Sequence, residues 1–334
     1  MTPKKITIQD IADTAKVSKS TVSRVLNDTT PVNDEKRAAV LAAMKDLNFQ
    51  PNLFARGLAG GNSMTIGILT QNIGSPFYNA LDQGVIQRLV GTNYSPIFVD
   101  GQWQEDVGAT GLRVLLGRQV DGVIVIGGKT SAEALIELKE RTHLIVVARE
   151  IEGLEDHCLF IDNFNAAYEA TKYLIDSGHK KIAHISGIPT HQDSIRRLAG
   201  YTQALKDANL EFDESLVVDG GFDGRNGLMA LESLLMNRKS FSAVFCASDS
   251  MALGARLALY RRGIRVPEDI SIMGFDDQPG AEFMTPPLTT VRQPAHEMGE
   301  AAADAILQLI GKKEVNVPAF KAELVFRESV ARLH

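Results

Sequence analysis

The chain has 334 residues, a net charge of −6 and two cysteines, Cys158 and Cys246. That length allows one small domain plus one large or two medium ones. Two distant cysteines without metal-ligand or redox spacing exclude a disulfide framework, and no apolar run reaches membrane-spanning length.

The first predicted elements lie in TIQDIADTAKVSKSTVSRVLN, residues 7–27. Thr7 can cap a helix whose inward stripe is Ile8, Ile11, Ala12 and Ala15. Ser18 can cap a second, with Val22, Val25 and Leu26 turned inward. Lys16-Val17 leaves room only for a tight corner, so the pair reads as a helix-turn-helix. Neither helix is long enough to stand alone, which requires a shared small core. The outward face of the second helix carries Lys19, Ser20, Ser23 and Arg24, short or basic donors suited to base edges and phosphates. Residues 1–62 hold nine Lys and Arg against six Asp and Glu in an otherwise acidic chain. Such an arm suits a protein that presents only this end to a polyanion. A third helix is predicted from its cap Asn33 to Leu47, with Val40, Leu41 and Met44 inward; Pro51 ends it. The following NLFARGLAGGNS has helical character in its first half but three glycines, too fragile to persist alone in water.

From Met64 the period changes. MTIGILT, SPIFVD, DGVIVIG and HLIVVA alternate with amphipathic segments of helical length, and HCLFID, KIAHISG, SLVVDG, SAVFCAS and DISIMGF form a second such series. Two consecutive βαβ series predict two parallel-sheet lobes, with ligand groups beyond the carboxyl ends of the strands. Candidates there are Phe77, Tyr78, Asp162, Asp193, Arg197, Phe222, Asp249 and Asp276. Arg with carboxylates and a phenyl ring is the inventory a sugar requires for its hydroxyls and its apolar face. Asp249 serves equally well as a helix cap; for Arg197 and Asp276 ligand contact is favoured, the competing role of Arg197 being a tether for the RRLAGY helix.

SKSTVSRVLN, Val32-Asn33, QPNLFARGLAGG, DGVIVIG, SGHKKI, RRLAGY, SDSMALGA, VPEDISIMGFDD and PPLTTVRQP stand in the order and spacing of the LacI/GalR family of bacterial repressors. The resemblance covers nearly the whole chain. It implies an all-α helix-turn-helix headpiece over 1–50, a hinge helix over 51–62 and a two-lobed, Rossmann-like α/β core over 63–334, similar to periplasmic binding proteins. The implied N-lobe spans about 63–161 and 292–321, and the C-lobe about 162–291 and 322–334. It also implies that the hinge forms when two copies meet on DNA, with Leu58 as a minor-groove wedge and Arg56 beside it. The implied DNA-binding set is Thr7, Ser18, Lys19, Ser20, Thr21, Ser23, Arg24, Asn27, Asn52, Ala55, Arg56 and Leu58. Residues matching Arg197, Phe222 and Asp276 contact effector in the family. Ser248 stands where sugar-binding members commonly carry Asn, and His191 and Asp193 replace small hydroxyl or basic residues. These departures leave open a larger, charged or disaccharide effector.

The resulting expectation is a sugar-responsive repressor of carbohydrate-utilisation genes. It would act as a homodimer on a pseudo-palindromic operator of double-stranded DNA, with no cofactor, metal or membrane partner. No heptad-bearing tail follows AELVFRES, which predicts a dimer rather than a tetramer. The N-terminus lacks a hydrophobic signal core, so the expected location is the cytoplasm. The same feature, with the headpiece, disfavours the rival reading as a periplasmic solute-binding protein. Enzyme readings fail on their motifs: Gly127-Gly128-Lys129-Thr130 has Val123 where a phosphate loop needs Gly, and neither GxGxxG after the first strand nor GxSxG occurs.

Overall fold

The computed structural model describes residues 6–27, 31–49, 62–237, 240–315 and 317–333. In the headpiece, α1 (Ile8–Thr14), α2 (Lys19–Asn27) and α3 (Asp34–Asp46) enclose Ile11, Ala12, Val22, Val25, Val40 and Ala43. Thr7 and Asp10 form a reciprocal capping box at α1, Ser18 Oγ accepts from Thr21 N at 3.2 Å, and Asn33 Oδ1 accepts from Glu35 N at 2.8 Å. Lys16 adopts φ 53°, a left-handed kink that turns the chain sharply between α1 and α2. Two predicted core residues face water instead: Ile8 is 40% exposed and Leu41 52%. Ile8 opens α1 beyond the reach of its neighbours, and Ala43 occupies the α3 face expected of Leu41. The hinge segment 51–61, with Asn52, Ala55, Arg56 and Leu58, lies outside the described residues.

The first lobe is built on a parallel sheet in the order β2-β1-β3-β4-β5, formed by Thr65–Thr70 (β1), Ser95–Asp100 (β2), Gly122–Ile126 (β3), His143–Val147 (β4) and Cys158–Leu159 (β5). Helices α4 (Pro76–Leu89) and α11 (Ala295–Ile310) cover one face, α5 (Glu105–Gly117) and α6 (Ala132–Arg141) the other. Burial on both faces is why β3 reads as the unbroken apolar run GVIVI, every residue of it buried.

The second sheet runs β7-β6-β8-β9 from Ile182–Ser186 (β6), Val217–Asp219 (β7), Ala243–Cys246 (β8) and Ser271–Met273 (β9). It lies between α7 (Asn163–Asp176) with α8 (Gln192–Asp207) and α9 (Gly224–Met236) with α10 (Asp249–Arg261). The chain passes between lobes after β5, after β10 (Thr290–Arg292) and before β11 (Glu323–Val325). β10 and β11 pair antiparallel, so two of the passages are bonded side by side. The carboxyl ends of both sheets open onto the space between lobes. Among the described residues, no helix is long and apolar enough to cross a membrane.

Candidate functional site

A cavity of about 100 Å³ lies between the lobes, lined from the strand-end loops of both. The first lobe supplies Asn72, Ser75, Phe77, Tyr78 and Trp103; the second supplies His191, Asp193, Arg197, Phe222, Ser248, Asp276 and Gln278, among others. Arg197, 3% exposed, is its organising charge. Its Nε donates to Asn163 Oδ1 at 2.8 Å and its Nη1 to the Ala247 carbonyl at 2.6 Å, while Asp276 Oδ1 stands 3.7 Å from Nη1. The guanidinium lies 3.6 Å over the Phe275 ring and 5.7 Å from that of Phe222. Asn163 also donates to Asp193 at 3.0 Å, so one amide orients both the cation and a carboxylate.

Backbone strain aims two of these side chains. Asp276 has φ 116° and Phe222 φ 61°, conformations a non-glycine residue keeps only when its surroundings hold it. Asp276 is held by Gln278 Nε2 at 2.9 Å and Gln293 Nε2 at 2.7 Å. Phe222 lies flush on Gly187, where a Cβ would come within 2.0 Å of the ring, so only glycine fits beneath it.

Burial sets the charge states. It raises the Asp276 carboxyl to about 6, with Arg197 opposing, and raises Asp193 in the same way. It lowers the His191 imidazole to about 3, helped by Arg197, Arg149 and Lys129, so His191 is neutral at physiological pH. An acid whose folded pKa exceeds its unfolded value binds its proton more tightly when folded. Its ionisation therefore removes stability as pH rises from about 4 to about 6. Wild-type protein is expected to lose on the order of 2–3 kcal/mol across that window relative to Asp276→Asn. Parallel denaturant titrations at pH 4.5 and 7 check this; identical pH slopes in the two proteins would contradict the assignment.

Phe77, Tyr78, Asp193, Arg197, Phe222 and Asp276 are thus brought together in one cavity. Two other expected residues are not. Asp162 caps α7, accepting from Asn165 N at 3.0 Å, and lines a separate cavity with Arg149, Asn163 and Arg196. Asp249 is turned beneath the site, accepting from Thr290 Oγ1 at 2.6 Å and Gln278 N at 2.7 Å. It is not the cap either: Ser248 Oγ accepts from Met251 N at 3.3 Å. Asp249 instead locks the β10 passage to the loop after β9.

Asn72, Ser75, Trp103, Asp223, Ser250 and Gln278 line the cavity without being among the sequence candidates, and Trp103 is the largest of them. It is the sole tryptophan and follows SPIFVD as the other candidates follow their strands, a signal present in the sequence. Its φ of 58° is held by a bond from its N–H to Gln71 Oε1 at 2.9 Å. Its ring meets His191 edge-on at 4.2 Å and Tyr78 at 5.3 Å, joining the lobes across the cavity. His191 is 4% exposed, and its Nδ1 has no hydrogen-bond partner among the described residues.

At the other end of the molecule Thr7, Ser18, Lys19, Ser20 and Arg24 are exposed on the headpiece, with Thr21 and Ser23 half-buried. Ser18 Oγ bonds to the hydroxyls of Ser20 and Thr21 at 2.8 and 2.9 Å, which orders the first turn of α2.

A helix-turn-helix headpiece joined to a two-lobed core with an interlobe cavity defines a ligand-responsive, DNA-binding regulator. Residues 7–52 match the bacterial regulatory proteins of the lacI family, and residues 171–330 match the periplasmic binding protein-like domain. The chain is 35% identical to the ribose operon repressor of Haemophilus influenzae, covering 98% of this chain and 99% of that one. It is 34% identical to catabolite control protein A of Priestia megaterium, over 97% and 99%. A lac repressor dimer bound to operator and the anti-inducer ONPF superposes with a TM-score of 0.88 at 26% identity, over 98% and 100% of the two chains. A complex of the transcriptional regulator CelR with cellobiose superposes at 0.72 with 32% identity, over 97% and 99%. The chain belongs to the lacI family: it is a transcriptional repressor that binds operator DNA and a small-molecule effector, not an enzyme.

Proposed function

We propose that the protein is a cytoplasmic homodimer that represses carbohydrate-utilisation genes, with a sugar or sugar derivative as effector. One observation carries the sugar reading: Arg197, Asp193 and Asp276 converge beside the Phe222 and Trp103 rings. Charged groups bond and orient hydroxyls, and the rings take the apolar face of a sugar. A thermal-shift screen of monosaccharides, disaccharides, sugar phosphates and purine bases tests it. A sugar at 100-fold its dissociation constant should stabilise the core by about 2.7 kcal/mol. A shift with purine bases alone would overturn the sugar reading.

In this reading residues 1–50 are the DNA-binding headpiece, 51–62 the hinge and 63–334 the effector-binding and dimerisation core. Effector favours one setting of the lobes, and that setting decides whether two hinge segments meet. Effector and operator then change each other's affinity reciprocally, by about 1–3 kcal/mol. Asn52, Ala55, Arg56 and Leu58 serve the minor groove, Leu58 as the wedge. Thr7, Ser18, Thr21, Ser23, Arg24 and Asn27 flank the base-reading residues Lys19 and Ser20.

Lys19 and Ser20 occupy the first turn of α2, directly after the Ser18 cap, where recognition helices reach bases. Replacing both should change the preferred half-site, each lost base contact costing about 1–3 kcal/mol. Selection from a randomised operator library reads this out, and an unchanged half-site would refute the assignment.

A further inference from the structure

Asp82 is a buried acid that neither the cavity lining nor the interlobe passages use. It lies on α4, one turn beyond Tyr78, and is only 6% exposed. Its Oδ1 has no hydrogen-bond partner among the described residues, and neither has Oγ1 of the fully buried Thr70 nearby, at the end of β1. No cation answers it. The charged group whose field reaches Asp82 is another acid, Asp100, at the end of β2. On α11, packed along α4, the charged groups are engaged further down the helix. His296 meets Gln87 at 3.1 Å and lies 3.9 Å from Glu300, and Asp304 pairs with Arg88.

Asp100 is what makes Asp82 consequential. Its carboxylate accepts from Asn72 N at 2.9 Å and Ile73 N at 3.2 Å in the loop after β1, and from Gln102 N at 2.8 Å in the loop after β2. Those loops carry Asn72, Ser75 and Trp103 to the cavity. Thr70 leads directly into Gln71, whose Oε1 holds Trp103 N. One pair of neighbouring acids thus underlies both loops. With a proton on Asp82, Asp100 bears the only charge and keeps its three bonds. Without it, two carboxylates share a buried corner, which like charges resist. The ionised Asp82 then has no partner to offset its lost hydration. Burial raises the Asp82 carboxyl to about 7, with the Thr70 hydroxyl opposing and Asp100 adding, so both forms are populated near neutral pH.

We propose that Asp82 is a proton-dependent positioning residue for the effector cavity: protonated, it lets Asp100 hold both first-lobe loops in place, and ionised, it loosens them. Asp82 does not line the cavity and acts only through Asp100 and Thr70. The first-lobe wall is then ordered below neutrality and slack above it, and effector affinity inherits the same dependence. This holds for whatever small molecule the cavity takes and does not depend on the sugar reading.

The test uses full-length protein without effector. Trp103, the sole tryptophan, follows Gln102 directly, so its emission and its quenching by acrylamide report the order of the loop that Asp100 holds. Between about pH 5.5 and 8.5 the wild type is expected to show a transition of one proton's width centred at about 7. The quenching constant should rise about twofold or more above it, as a locally opened loop admits the quencher. Asp82→Asn keeps the shape of the side chain and cannot ionise, so it should hold the low-pH emission and quenching throughout the range. Asp82→Leu, uncharged and of similar size, should do the same and supplies the answer if the Asn variant does not fold. The cavity acids Asp193 and Asp276 stand beside Trp103 in all three proteins, so the part of the transition lost with Asp82 is the part that counts. A wild type with flat emission and quenching, or a transition that survives both substitutions, overturns the proposal. So does an Asn variant fixed in the high-pH state, since a neutral side chain would then loosen the loops as a charge does.

Discussion

Replacing Arg197 with Ala is expected to abolish the effector's influence on operator affinity while leaving effector-free operator binding near wild type. Each charge-assisted bond to a hydroxyl contributes about 1.5–3 kcal/mol, and two such losses amount to several hundred-fold or more in effector affinity. The headpiece contains no part of this network, so the loss is confined to the response. The structure adds a second consequence. Arg197 fixes Asn163 and the Ala247 carbonyl and faces the buried Asp276, so it is a tether as well as a candidate ligand contact. Removing one partner of a buried ion pair destabilises by about 3–5 kcal/mol because the other charge is stranded. Arg197→Ala should therefore also melt early, and melting alone cannot separate contact from tether. Arg197→Lys separates them. It keeps a cation beside Asp276 but lacks the planar fork that reaches a ligand, Asn163 and Ala247 together. The Lys variant is expected to recover much of the lost stability and little of the effector response. A Lys variant that responds at wild-type effector concentration would place the site elsewhere.

What the sequence revealed and what it hid divide along physical lines. Caps are local, so Thr7, Ser18 and Asn33 were legible from one residue and its near neighbours. The switch to βαβ period at Met64 was legible for the same reason: strands buried on both faces leave apolar runs such as GVIVI. Packing in a three-helix core is not local, and Ile8 and Leu41 look inward on a helical wheel although the other helices do not reach them. The site shows the same boundary. Asp162, Asp193, Asp249 and Asp276 are indistinguishable as acids near strand ends. What sorts them is the partner each meets: Asn165 N, Asn163 and Thr290 for the first three, Gln278 with Gln293 for the fourth. The neighbouring Asp277 bonds Arg292 and Arg327 instead, at 2.8 and 2.7 Å, so adjacent acids serve cavity and interlobe passage separately. No periodicity encodes that choice. Trp103 shows the converse: its position just after β2 is visible in the sequence, while its edge contact with His191 of the other lobe is not.

Leu253→Asp is expected to split the proposed dimer and, with it, operator recognition. Leu253, Leu257 and Tyr260 recur at i, i+4 and i+7 on α10 and are 59%, 41% and 70% exposed. Arg256, on the same helix, bonds the Thr285 carbonyl at 2.7 Å and so ties down the turn bearing Phe283, which is 78% exposed. An exposed apolar stripe beside a second large ring is what a self-association face presents. A carboxylate at Leu253 would have to be desolvated twice in a symmetric contact, once from each copy. In the isolated chain the position is open to water, so the core should melt near wild type. Light scattering at micromolar protein should give a monomer mass. Two linked headpieces exceed one by about 10²–10⁴ in affinity, and that factor should disappear from operator binding. The salt dependence gives an independent check. The slope of log affinity against log salt counts the phosphates neutralised, so losing one of two headpieces should roughly halve it. A variant that stays dimeric with an unchanged slope would move the dimer face away from α10. A monomer that keeps full operator affinity would mean that one headpiece suffices for recognition.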